Sequence, residues 1–344
     1  MATPASCLGR RRLLAGAAGA ALVSAAARAA NPSDRTPPWR IAFANINETQ
    51  GVRIEGLGFT GLDVRKSFEL AARTLPVNII YYDNAGDEQT AVSNAADAIS
   101  QKVDLLIEYN GETGANPEIA RKAAAAGIPV LAIGYPVGNA PVYSADNHEA
   151  GRIAGHALGA FTKQSWPDET PLAVVLGDIG DPSDAVTERI KGILDGVHAE
   201  LPGVEPTMLD SGGQPQRGDD LLTKYMRQQP RRKVLIATLD DATALWARNA
   251  IELAVRINDC VIVSQGLDRT VHGGAHEKKE IDPTNRASVV LGSVAYFMDR
   301  YGYDVLPLAM RMLKGESVPA HSYTQHVLVT GGNVFREYPP IDMN

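Results

Sequence analysis

Cysteine is almost absent from this 344-residue chain, which carries only Cys7 and Cys260. Cys7 falls in an N-terminal segment read below as removable, and one remaining thiol makes neither an internal disulfide nor a zinc site. Cys260 opens an apolar run at 260–263, where a buried, inert thiol is expected. Basic excess is also lacking: a net charge of -7 argues against nucleic acid or an anionic membrane surface as partner, since both reward clustered Lys and Arg. Long apolar runs are missing too, and the apolar N-terminal stretch is too short and weakly hydrophobic for a stable membrane span. There is no Gly-x-Gly-x-x-Gly after the first strand, no phosphate loop and no Gly-x-Ser-x-Gly elbow, which removes the common dinucleotide, nucleotide and hydrolase readings. His272 and His276, with Glu277 and Glu280 nearby, have metal-ligand spacing on a helix. Gly273-Gly274 between them disfavours that helix, so a solvated polar loop is expected and no metal or cofactor is required.

What is present starts with Arg10-Arg11-Arg12-Leu13-Leu14, which fits a twin-arginine export signal and is followed by Ala- and Gly-rich residues and by Ala27-Arg28-Ala29, a small-x-small cleavage site. Residues 1–29 are therefore read as a signal peptide and 30–39 as a Pro-rich linker, giving a mature chain exported to the periplasm. The alternative is a basic, unstructured N-terminus of a cytoplasmic protein. The remaining length exceeds the usual single domain, so two domains are expected.

From residue 41 the pattern alternates. Short apolar runs at 41–46, 77–82, 104–108 and 129–133 are separated by helical spacing at 62–75, 88–101 and 117–126, the last closed by Gly127. The same order recurs, with strands at 172–176, 205–209, 233–237 and 260–263 and helices at 183–200, 216–228 and 242–257. A strand at 287–291, a long helix at 294–313 and a strand at 325–329 follow. Near-continuous apolar strands alternating with helices mean parallel sheets covered on both faces. The segment 128–158 holds a strand, a Gly134-Tyr135-Pro136 break, a second short strand and a helix opening at Asp146-Asn147; it reads as the crossover between two doubly wound α/β lobes, with a ligand cleft beside it. The expected lobes are 40–145 plus 297–325 and 146–296 plus 326–344, joined by a multi-strand hinge.

Ala145-Asp146-Asn147 before Gly151-Arg152-Ile153-Ala154-Gly155, then Thr187-Glu188-Arg189, Asp240-Asp241-Ala242-Thr243-Ala244-Leu245, Gly266-Leu267-Asp268 and Met312-Leu313-Lys314-Gly315-Glu316 carry a resemblance. In that order the chain resembles periplasmic sugar-binding proteins of the ribose-binding type, which share their two-lobed fold with lactose-repressor-like ligand domains. The resemblance implies a type I periplasmic binding protein, a sugar- or polyol-like ligand, hinge closure and an ABC permease as partner. A monomer is expected.

Ligands of open parallel sheets sit beyond the carboxyl ends of the strands. A sugar asks for carboxylates, amides or Arg at its hydroxyls and for a ring over its apolar face. The first strand delivers Asn47 and Glu48, and the loop behind it ends at Phe59, a candidate stacker or else a core residue. The third strand delivers Glu108, Tyr109 and Asn110, ligand chemistry or else a capped loop. After the fourth strand the resemblance breaks: the family commonly has Asp-Arg where this chain has Gly134-Tyr135, which puts a common pentose or hexose in doubt and leaves Tyr135 as the substitute. The second half offers Asp184 and Arg189; Arg189 suits two adjacent oxygens or else pairs with a nearby carboxylate. Asp240 stands where the family has Asn and is a candidate ligand or a helix N-cap. Asp268 matches the family's ligand-binding Asp, and Tyr296 falls where relatives carry a hinge Gln. Asp146 and Asn147, with Glu149 following, read as a capping-box analogue and not as ligand contacts.

The expectation is closure in which ligand bridges Asn47, Phe59 and Tyr135 to Arg189, Asp240 and Asp268, with no covalent chemistry. One alternative is a sensor whose closed form docks on a chemoreceptor or histidine kinase; another is an exported sugar-modifying enzyme. A cytoplasmic regulator is disfavoured because no helix-turn-helix precedes Arg40.

Overall fold

Two six-stranded sheets organise the chain. The first takes β1 (Trp39–Asn45), β2 (Val77–Asp83), β3 (Leu105–Tyr109), β4 (Val130–Ile133) and β5 (Val142–Ser144), linked by α1 (Gly61–Ala72), α2 (Glu88–Ser100) and α3 (Asn116–Ala126). Helix α4 (Asn147–Ser165) leads into the second, made of β6 (Leu172–Gly177), β7 (Thr207–Asp210), β8 (Val234–Thr238), β9 (Cys260–Gly266) and β10 (Val290–Ala295). Their connecting helices are α5 (Asp184–Glu200), α6 (Arg217–Gln228) and α7 (Asp241–Leu253). Helix α8 (Tyr301–Leu313) packs back on α1; β11 (His321–Tyr323) joins the first sheet, β12 (Leu328–Thr330) the second, and α9 (Val334–Glu337) follows. The orders are β11-β5-β4-β3-β1-β2 and β12-β10-β9-β8-β6-β7, and every pairing is parallel except β10 with β12. This computed structural model describes residues 37–273 and 279–339. The expected twin-arginine signal and its cleavage site, and His276 and Glu277, lie outside the described residues.

The inner strands β1, β3, β8 and β9 are buried on both faces, as their unbroken apolar runs require. One hydrophobic cluster runs from Phe43 and Phe68 in the first lobe through Leu57, Tyr143, Tyr296 and Tyr301 to Val175 and Leu235 in the second, so the lobes are packed against each other. Separate clusters lie under α2 and α3, and under α6 and α7. Gly127 ends α3 in the left-handed conformation (φ 68°) that a C-terminal glycine supplies.

The sequence misplaces the return. The strand expected at 287–291 runs over Val290–Ala295, and the helix expected from 294 begins at Tyr301, after a short 3-10 turn at Met298–Arg300. Residues 294–298 are apolar without a break, so periodicity cannot divide them. Pairing of β10 with β9 and the left-handed Phe297 (φ 50°) set the boundary. The edge strand β11 is three residues of largely polar sequence and leaves no apolar run to read.

The chain passes between lobes where β5 meets α4, where β10 meets α8 and where β11 meets β12. His326 pins these crossings. Its Nε2 accepts the Asp146 N–H at 3.0 Å, and its Nδ1 lies 2.9 Å from the Ala295 carbonyl, which requires the neutral ring with the proton on Nδ1. Burial lowers its pKa and favours that form.

Candidate functional site

The loop from β1 to α1 reaches across to the second lobe. Ile54 N–H donates to the Phe59 carbonyl and Leu57 N–H to the Ile54 carbonyl, and Glu55 (φ 53°) and Gly56 (φ 67°) both take the left-handed conformation of a tight two-residue turn. Glycine accepts that geometry without strain; Glu55 is an uncommon residue there, held by its surroundings. Leu57 at the end of the turn is fully buried, and the Gly58 backbone lies against the Asp268 carboxylate.

The loop leaves a cavity of about 740 Å³ lined from both lobes and from the crossing between them. Glu55, Thr113 and Tyr135 come from the first lobe; Asp146, Asn147 and His148 from the start of α4; Asp181, Ser183, Asp184 and Glu188 from the loop after β6 and the first turns of α5. A smaller cavity of about 210 Å³ is lined by Arg53, Arg189, Asp178, Asp181, Ser211 and Asp240, among others.

Glu55 Oε1 accepts the Tyr109 hydroxyl at 2.7 Å. Burial pushes the Glu55 carboxyl up, while that hydrogen bond and the positive charge of Arg189 act against the rise. A Cβ on Gly134 would stand 3.1 Å from Glu55 Oε1 and 3.1 Å from the Tyr109 ring, and Gly134 itself is left-handed (φ 70°). The acidic side chain missing after β4 thus has its place taken in space by one from the loop after β1. Tyr135 stacks 6.4 Å from Tyr109; burial raises its phenol pKa, with the negative charges of Glu55, Asp181 and Glu112 adding to it.

Arg189 is buried with its donors directed inward. Nη2 and Nε donate to Asn147 Oδ1 at 2.9 and 3.3 Å, Nη1 donates to the Leu239 carbonyl at 2.8 Å, and the guanidinium lies 5.0 Å from the Tyr296 ring centre. Tyr296, also buried, donates its hydroxyl to the same Asn147 oxygen at 3.1 Å. Asn147 is the hub of this site and lines the larger cavity, correcting its reading as a cap alone. The capping falls to Asp146, whose Oδ1 accepts the Glu149 N–H at 2.9 Å; the reciprocal half of a box is absent because Glu149 turns to Arg152.

Of the residues singled out from sequence, Tyr135 lines the larger cavity with Asp184, and Arg189 and Asp240 line the smaller. Asp240 also caps α7, accepting the Thr243 N–H at 2.8 Å. The others line neither. Asn47 accepts the Thr49 N–H within its own turn, and Glu48 is bound to Arg65 at 2.7 Å and to Asn45 at 3.0 Å. Phe59 is buried in the first lobe's core. Asn110 donates to Asn116 Oδ1 at 2.8 Å and orders the loop before α3. Glu108 is fully buried beneath α2, accepting from Asn84 Nδ2 at 2.7 Å, and burial raises its pKa to about 8. Asp268 accepts the Thr270 N–H at 2.7 Å, and the chain's own Gly58 fills the space in front of it. Tyr296 serves Asn147.

Glu55 and Asp181 were missed. Asp181 follows β6 at the carboxyl end of a strand, so the placement rule for open sheets reaches it; nothing local marks Glu55, because its position depends on a turn between residues that pack on the opposite lobe. His272 is buried against Tyr338, and among the described residues no three His, Cys, Asp or Glu side chains meet as a metal site.

Solved structures with the same fold include an ABC transporter periplasmic solute-binding protein from Actinobacillus succinogenes 130z with bound D-allose (TM-score 0.66, 16% identity, covering 88% of this chain and 100% of that one). A sugar-binding protein of a sugar ABC transporter from Bacillus halodurans gives TM-score 0.65 at 17% identity, covering 87% and 100%. A Mycobacterium smegmatis protein in complex with beta-D-fucofuranose gives 0.61 at 19%, covering 89% and 95%. Identities this low show the shared fold alone. No curated protein matches the sequence. A family model described as periplasmic binding protein domain matches residues 58–317, and the chain therefore belongs to that family.

Proposed function

We propose that this chain is the solute-binding component of an ABC importer, enclosing a sugar- or polyol-like molecule between its lobes and presenting the closed form to a membrane permease. The observation that carries the reading is the cavity of about 740 Å³ at the interlobe crossing, to which both lobes contribute polar side chains and the first adds an aromatic ring. Solved proteins of this fold are described with D-allose and beta-D-fucofuranose bound, which supports a carbohydrate-like solute. Family membership implies a periplasmic or extracellular location. Arg10-Arg11 ahead of the apolar stretch supports twin-arginine export.

Ligand acts here by differential affinity. It touches both lobes only when they are together, so it stabilises the closed state by the free energy of contacts the open state lacks. The lining asks nothing of covalent chemistry. Glu55 and Tyr135 face Asp181 and Asp184 across the gap, and Asn147 stands at the crossing. Arg189 holds Asn147 in place and does not itself reach the larger cavity.

The test is a thermal-shift screen over sugars, polyols and their derivatives. A solute bound by the native state at about a hundred times its Kd stabilises it by about 2.7 kcal/mol. At least one compound is expected to raise the melting temperature in proportion to the logarithm of its concentration. A flat response to the whole screen would overturn the reading.

A further inference from the structure

The larger cavity is uniformly acidic. Glu55, Asp146, Asp181, Asp184 and Glu188 line it, and its lining includes neither Lys nor Arg. Glu188 is paired with Lys191 at 2.5 Å, and the one histidine, His148, is turned to Asp195 at 2.9 Å. Asp181 and Asp146 accept backbone N–H groups, of Ser183 and Glu149, which orients them without adding a counter-charge. Glu55 has Oε1 on the Tyr109 hydroxyl, while its Oε2 has no hydrogen-bond partner among the described residues. The smaller cavity differs, since Arg53 and Arg189 stand beside its acids.

Closing such a cavity on a neutral or anionic guest strips water from carboxylates of which Glu188 alone has a paired cation and Glu55 is only partly offset by Arg189, a cost that grows as the local dielectric falls. A guest with an ammonium group reverses the sign. Tyr135 adds an aromatic ring to the same lining, near enough to Glu55 and Asp181 that both charges act on its phenol, and carboxylates together with a π face are surroundings that hold a cation. The carboxylates are spread along a cavity of about 740 Å³ and form no metal cluster among the described residues, so the charge must belong to a molecule that fills the space.

We infer that the solute of this site carries a positive charge: an amine-bearing sugar or polyol whose ammonium lies between Glu55, Asp181 and the Tyr135 ring while its hydroxyls meet Asn147, Ser183 and Asp184. This rests on the solute-binding reading above and narrows it to a class. The purified mature protein is titrated calorimetrically and by thermal shift with matched sets: D-glucosamine, D-glucose, N-acetyl-D-glucosamine and D-glucuronate; the galactose equivalents; and 1-amino-1-deoxy-D-glucitol against D-glucitol. At least one amine is expected to bind tenfold or more tightly than its neutral parent and its N-acetyl form. Asp181→Asn and, as a second variant, Glu55→Gln should each shrink that preference at least severalfold, read as the ratio of amine to neutral-parent affinity within the same variant. A neutral or anionic member that binds as tightly as its amine overturns the inference and leaves the solute-binding reading standing. Silence from every member and from the wider sugar and polyol screen overturns both. An amine preference unchanged in both variants also overturns the assignment.

Discussion

Asn147 offers one side-chain oxygen to three donors, two from Arg189 and one from Tyr296, all buried. Removing it leaves a buried guanidinium short of acceptors, which costs more than the bonds themselves are worth. Asn147→Ala is expected to lower stability by about 2–4 kcal/mol in urea denaturation and to weaken any ligand found, whereas Asn147→Asp, which keeps an acceptor, should lose less. Glu108 has a different signature. Its folded-state pKa of about 8 stands above the ordinary 4.5, so the folded state holds a proton that the unfolded chain releases; stability is full below about pH 4.5 and falls as pH rises toward 8. Glu108→Gln should flatten that fall. Between pH 5 and pH 8 the parent should lose roughly 2–4 kcal/mol more than the variant, measured by urea midpoints, and parallel curves would refute the buried-proton account. In the sequence Glu108 reads as ligand chemistry at a strand end. The strand was legible, but the side to which its last residue points depends on α2 and Asn84 lying across it.

Among the elements, α4 and α5 approach most intimately. Gly151 and Gly155 on α4 face the Arg189 and Ile193 carbonyls of α5, while Gly192 and Gly196 on α5 face the His148 and Arg152 carbonyls of α4; a methyl at any of them would overlap backbone. That closeness brings Asn147 from one helix within bonding distance of Arg189 on the other. Gly192→Ala is expected to push the helices apart, with a stability loss of about 3 kcal/mol or more and ligand affinity reduced beyond what the stability loss explains. The alternation that gives the helices and strands their order is a local property and was readable. The β10 to α8 passage was not, because an unbroken apolar run fits either element until β9 selects the strand.

At the scale of the whole molecule the lobes are held together partly by Leu57, buried without exposure in the cluster that spans both. Leu57→Ala removes apolar contact from the closed arrangement more than from each lobe. Its expected effect is a larger radius of gyration by small-angle X-ray scattering without ligand and about tenfold weaker apparent binding, as the closed fraction falls. Compaction on adding ligand should persist. A variant as compact and as tight-binding as the parent would show that Leu57 plays no part in closure.

The sequence by itself determined the α/β alternation, the recurrence of that order in the second half of the chain, the family resemblance and the buried thiol of Cys260. Each follows from period, order and composition, which are local or additive along the chain. The tertiary structure alone decided which polar side chains face the cavity. Glu55 reaches it through a left-handed turn braced on the far lobe, Gly134 makes room for it, and Asp268 is covered by Gly58. Such placements depend on contacts between residues far apart in the chain, so they exist only once the lobes have come together.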